Sequence, residues 1–145
     1  MVTTKVTQAV KTIIARLDPG EDVLETLESL VLEHNVHAGH MMLIGAISGA
    51  TLGYFDIHKK EYRSFTISED LEVTSCIGNV AFTKDGTPIV HAHMVVADEK
   101  GASYSGHLMK GCIVSVTIEV VLTVLGGELL RVVDDRFGLN LLKLH

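Results

Sequence analysis

Tryptophan is absent from this chain, and only 2 prolines and 2 cysteines occur in its 145 residues. So little proline excludes an extended polyproline scaffold. The two cysteines, Cys76 and Cys112, fall in strand-like runs without the C-x-x-C spacing of a thiolate metal site. They read as reduced core thiols rather than a disulfide framework. Basic residues are also scarce, with 12 Lys and Arg against 18 Asp and Glu and a net charge of -6. That balance lacks the electrostatic footprint on which nucleic-acid affinity rests. The longest apolar run, residues 41–47, falls far short of the ~20 residues of a membrane span. No apolar segment follows the first charge, so a signal peptide is not expected and the cytoplasm is the default location.

What is abundant is apolar surface. Hydrophobic residues make up 47% of the chain and mean hydropathy is +0.33. A single domain over residues 1–145 can bury about 68–70% of its unfolded surface without staples. The remaining apolar excess calls for a subunit interface, so an oligomer is expected.

Residues 3–17 alternate loosely and suit a strand. Asp18 is then placed as a helix N-cap, with Pro19 at the first helical position and Glu21 closing a capping box. Val23, Leu24, Leu27, Leu30 and Val31 recur at helical spacing, predicting a helix over about 19–34. Beyond it, β-branched and aromatic runs bounded by polar turns predict about seven mostly antiparallel strands, an α+β domain. The segments are 41–57, 62–67, 73–83, 89–96, 104–125 and 128–133, with Asp85-Gly86 as a hairpin turn.

The chemistry lies in the histidines. His91 and His93 alternate on one strand, Ile89 to Val96, so both point to one face. A hairpin around residue 100 pairs positions summing to 200, which sets His107 opposite His93 with His91 diagonal to it. Three neutral imidazoles without cysteine suit zinc, with copper, nickel or iron as the other candidates. The fourth coordination position is then left to water, a small anion or a small molecule. Protonated imidazole cannot ligate, so occupancy should fall below the reference pKa of about 6.5.

Other polar groups are weighed beside this set. A two-residue turn at Asp85-Gly86 would pair His93 with Gly78, giving the ion room, and turn Asn79 away. His34, His37 and His40 would meet on a continuous helix, but Asn35 and Gly39 predict that the helix stops and scatters them. His58 and His145 carry no signal. Glu119 is the only charge within 112–125. At ~3.3 Å per residue it lies about 40 Å from His107 along an unbent strand, which favours a structural polar contact over a role at the ion.

These same residues resemble a known family. Leu17-Asp-Pro-Gly-Glu-Asp-Val-Leu24, Ile44-Gly-Ala-Ile47, Leu52-Gly-Tyr-Phe-Asp56, Gly78-Asn79, Val90-His-Ala-His93 and Gly106-His107-Leu108 are similar to successive motifs of the plants-and-prokaryotes-conserved (PPC) domain. The resemblance spans roughly residues 10–142. It implies a homotrimer of α+β subunits on an antiparallel sheet, with His91, His93 and His107 at the metal-site positions of prokaryotic members. In plant proteins the domain accompanies AT-hook DNA-binding motifs. No Arg-Gly-Arg-Pro hook occurs here, so direct DNA binding is not expected. Leu71-Glu-Val-Thr-Ser75 departs from the plant domain's Gly-Arg-Phe-Glu-Ile, and the plant partner role does not transfer.

Three functions stand at this point. One is a zinc-binding trimeric assembly or regulatory module; the second is an enzyme using a metal-bound water on a small molecule. The third is a DNA-associated regulator, which rests on analogy. The sequence offers no convincing general base, so the enzyme reading is the weaker of the first two.

Overall fold

The computed structural model describes residues 2–144; His145 lies outside them. Ten strands form one sheet: β1 (Ala9–Leu17), β2 (Gly39–Ile47), β3 (Ala50–Asp56), β4 (Glu61–Ile67), β5 (Leu71–Phe82), β6 (Pro88–Ala97), β7 (Ser103–Leu108), β8 (Val114–Leu125), β9 (Leu130–Asp134) and β10 (Leu139–Lys143). The single helix among the described residues is α1 (Val23–Glu33). Strand order is β1-β8-β2-β5-β6-β7-β3-β4, with β9 joining β5 in parallel at Phe82–Leu130 and pairing β10.

The α+β class is as expected, but the strands number ten rather than about seven. The 41–57 run contains two strands, broken at Ser48-Gly49, and the 104–125 run breaks at residues 109–113. The tail from Leu139, read as loose, folds back on β9. Such breaks arise where the chain changes sheet neighbour, which alternation within one run does not report.

The helix begins at Val23, four residues later than the expected start at Pro19. Its N-cap is Asp22, whose Oδ1 accepts from the Glu25 N–H at 3.1 Å while Oδ2 accepts from Gly111 N–H at 2.6 Å. Glu21 does reach back to the Asp18 N–H at 2.6 Å, but it closes a turn ahead of the helix. The reciprocal capping pattern and the helix start therefore separate here. Asp22 won because it serves two backbone donors at once, tying α1 to the segment after β7.

Val23, Leu27 and Val31 form the buried stripe of α1, each with no exposed surface. They meet the inner face of the sheet, where Met41, Met94, Ile118 and Leu122 are equally buried. Burying side chains of this size is worth about 1.5–3 kcal/mol each. Cys76 and Cys112 are buried and unbridged. Burial pushes their thiols up, Cys76 to about 12 and Cys112 to about 11.

The outer face is different. Following paired residues across the sheet gives one lateral row: Ile14, Val121, Met42, Ile77, His93 and His107. The first four are exposed, and three of them, Ile14, Met42 and Ile77, more than half so. An apolar band thus runs along the solvent face and ends at the histidines.

Candidate metal centre

His93 pairs with His107 across β6 and β7, as the sum of 200 requires. His91 precedes them on the same face. The ring centroids lie 5.3 Å (His91–His93), 5.2 Å (His91–His107) and 5.7 Å (His93–His107) apart. One nitrogen from each ring falls within 4.8 Å of the others. Metal–nitrogen bonds of ~2.0–2.1 Å allow one ion to reach all three after small rotations.

Close approach of two backbones sets where His107 stands. A Cβ at Gly106 would lie 2.8 Å from the Gly53 carbonyl oxygen. Only glycine lets β7 sit this near β3, and Gly53 is the residue opposite His107.

The β5–β6 register differs from expectation. Thr83 N–H donates to Thr87 O at 3.0 Å, and Gly86 takes φ +85. The loop is therefore Lys84, Asp85 and Gly86, a three-residue turn ending in a left-handed glycine. The pairings from Phe82 back to Ser75 shift by one, so His93 faces Ile77, Gly78 faces Ala92 and Asn79 faces His91. Gly78 accordingly makes room for the β6 backbone, not for an ion: its Cβ would meet His91 O at 2.4 Å. Asn79 turns toward the histidines, since a one-residue slip exchanges faces.

Asn79 there meets a residue with no forecast role. Arg131 on β9 is 5% exposed, and its Nη2 donates to Asn79 Oδ1 at 2.8 Å and contacts His91 Nδ1 at 3.2 Å. Its Nη1 donates to Asn140 O at 2.9 Å. Tyr62 from β4 completes the surround, stacked on His107 at 4.7 Å with planes 28° apart. The signal for Arg131 was a charge flanked on both sides by apolar residues, Leu129, Leu130, Val132 and Val133. Its position depends on β9 joining β5, a contact between distant segments.

The electrostatics favour uncharged imidazoles. Burial, then the neighbouring His91, His93 and Arg131, holds His107 down to about 4. Burial also lowers His91, with Arg131 and His93 adding to it. Burial raises the Tyr62 phenol, with Arg131 opposing the shift. Neutral imidazole is the ligating form. His107 Nδ1 is buried without a hydrogen-bond partner, and an orphaned ring nitrogen in a trio of convergent imidazoles suits a metal ligand. The residues present fit a borderline transition-metal ion.

The rival histidines separate. His34 is the C-cap of α1, His37 lies against Phe82 at 5.0 Å in the following loop, and His40 is in β2. Glu119, on β8, pairs with Arg16 of β1 and Ile44 of β2, and both β2 and β5 stand between β8 and β6. It lines a separate outer-face cavity of about 310 Å³ with Met42, Ile44 and Ile77.

Comparison with known proteins agrees with this architecture. A metal-containing protein from Archaeoglobus fulgidus is 35% identical with a TM-score of 0.88, over 99% of both chains. A plant- and prokaryote-conserved (PPC) protein from Pyrococcus horikoshii is 29% identical with a TM-score of 0.89, over 98% of this chain and 97% of that one. The bifunctional protein GlmU of a Synechococcus strain is 35% identical over 108 residues, 74% of this chain; the match spans only 16% of GlmU. Residues 4–126 match the Plants and Prokaryotes Conserved (PCC) domain. The architecture, the motif order and this match together make the chain a member of the Plants and Prokaryotes Conserved domain family.

Proposed function

We propose that this protein binds one zinc ion per chain through His91, His93 and His107 and works as a homotrimeric assembly or regulatory module. The observation that carries the reading is the convergence of three imidazole nitrogens within 4.8 Å, with burial holding His91 and His107 toward the neutral form and the Nδ1 of His107 buried and unpartnered. The metal-containing description of the Archaeoglobus relative supports it. When bound, such an ion supplies a Lewis-acid centre with one open coordination position. Asn79 orients Arg131, Arg131 braces His91, and Tyr62 covers His107, so the protein's own groups fix two of the three rings.

The trimer is supported by the exposed row of Ile14, Met42 and Ile77, an apolar band in need of a partner surface. A second reading, a metal-dependent reaction on a small molecule, is favoured by one feature. A cavity of about 220 Å³ opens beside His91, His107 and Tyr62 rather than being filled by side chains.

Elemental analysis of purified protein tests the first reading. Zinc should approach one per chain and fall strongly in His91→Ala, His93→Ala and His107→Ala, but not in His34→Ala or His37→Ala. Full occupancy in folded His107→Ala would reject it.

A further inference from the structure

The cavity of about 220 Å³ beside the histidines is lined by Arg131, His91, His107 and Tyr62, with apolar walls from Ile89 and Leu141. Arg131 is 95% buried by its 5% exposure, yet no carboxylate of the described residues lies within ion-pair distance of it. Its Nε is buried with no acceptor. A buried guanidinium is normally paired, because leaving it uncompensated is expensive.

The contact with His91 sharpens the point. Guanidinium only donates, so the His91 Nδ1 it faces at 3.2 Å is the lone-pair nitrogen, and Nε2 carries the ring hydrogen. An ion bound at Nδ1 would take that lone pair from Arg131. An ion bound at Nε2 would move the hydrogen to Nδ1, setting two donors against each other. Either way, loading the cluster releases an Arg131 N–H. A divalent ion and a guanidinium would then share a cavity whose other ligands are neutral, and the charge calls for an anion.

We propose that this cavity is an oxyanion site, in which a small carboxylate or phosphate takes hydrogen bonds from Arg131 and sets another oxygen at the open position of the ion bound by the histidines. The proposal rests on the metal reading above for its second contact only. The planar fork of Arg131 matches a pair of oxygens, and Asn79 and Asn140 O hold that fork in place. At ~30 Å³ per water the cavity has room for about seven waters, which suits a small organic acid or inorganic phosphate. The apolar walls leave space for a short hydrocarbon substituent beside the charged end.

The test uses cobalt(II)-loaded protein, whose visible bands report exchange at the open position, titrated separately with malonate and with inorganic phosphate. Saturable band shifts are expected, with the midpoint raised roughly tenfold or more in Arg131→Gln and less in Arg131→Lys. Circular dichroism confirms folding of each variant. The stronger of the two anions identifies which source of oxygens the site takes. An unchanged midpoint in folded Arg131→Gln, or no shift with either anion, overturns the proposal. If cobalt does not load, the metal reading fails by itself. Calorimetry of metal-free protein then decides: Arg131-dependent malonate or phosphate heat upholds the anion pocket, and its absence removes that too.

Discussion

Tyr62 lies over the imidazole of His107, ring centroids 4.7 Å apart and planes 28° from parallel. The stack covers the one histidine whose Nδ1 is buried without a partner, and it comes from β4, at the far end of the sheet order from β1 and β8. An aromatic contact of this kind is worth about 0.5–1.5 kcal/mol beyond area burial. Tyr62→Ala should weaken metal affinity by roughly twofold to tenfold, while Tyr62→Phe should hold it near wild type. Competition with a chromophoric chelator measures both. Equal losses in the two variants would assign the effect to the hydroxyl instead.

Acid should destabilise the metal-free protein through His107. Its folded pKa of about 4 lies below the unfolded value of about 6.5, so the unfolded chain takes up the proton first. The stabilising contribution is present above about 6.5 and is lost as pH falls from there toward 4. Urea midpoints across this window should drop with pH in the wild type and drop less in His107→Gln. The same lowering of His91 and His107 carries metal retention below the 6.5 threshold expected from sequence. A zinc-release midpoint at or above 6.5 would contradict it.

Gly106→Ala should damage both stability and the site. Its new methyl would press the Gly53 carbonyl oxygen from 2.8 Å. Separating β7 from β3 should cost about 1–3 kcal/mol and move His107 away from His93. Thermal unfolding and zinc content should fall together. Loss of stability with full zinc occupancy would show that the β6–β7 pair holds His107 without β3.

Assembly should depend on the exposed band. Met42→Glu or Ile77→Glu places a charge among the apolar side chains of β2 and β5, both more than half exposed in the single chain. Sedimentation should give a mass near three times 15.7 kDa for the wild type and a smaller species for either variant. A wild-type monomer at micromolar concentration removes the claim.

DNA should bind weakly and without preference between AT-rich and GC-rich duplexes at physiological salt, given the net charge of -6. Sub-micromolar discrimination between the two would overturn that expectation.

How much of this was legible in the sequence depends on how local each relationship is. The pairing of His93 with His107 was readable because one short turn joins the strands, so arithmetic about residue 100 suffices. The neighbouring hairpin misled by one residue, since Lys84-Asp85-Gly86 closes as a three-residue loop and the two turn types share the Asp-Gly signal. That single step moved Asn79 from the back of the sheet to the front. Arg131 was unreadable as a site residue, because its place follows from β9 meeting β5 across distant sequence. The stripe of α1 was plain, but its cap was not, as Asp18 and Asp22 both precede the apolar run and only contact with Gly111 separates them.

The two buried cysteines give this protein a built-in clock. With their thiols held at about 12 and 11 and their sulfurs enclosed by the core, thiolate is scarce while the chain is folded. An alkylating reagent at neutral pH therefore finds Cys76 and Cys112 chiefly during opening events. Because Cys76 lies on β5 and Cys112 between β7 and β8, the order in which they label would reveal which part of the sheet lets go first.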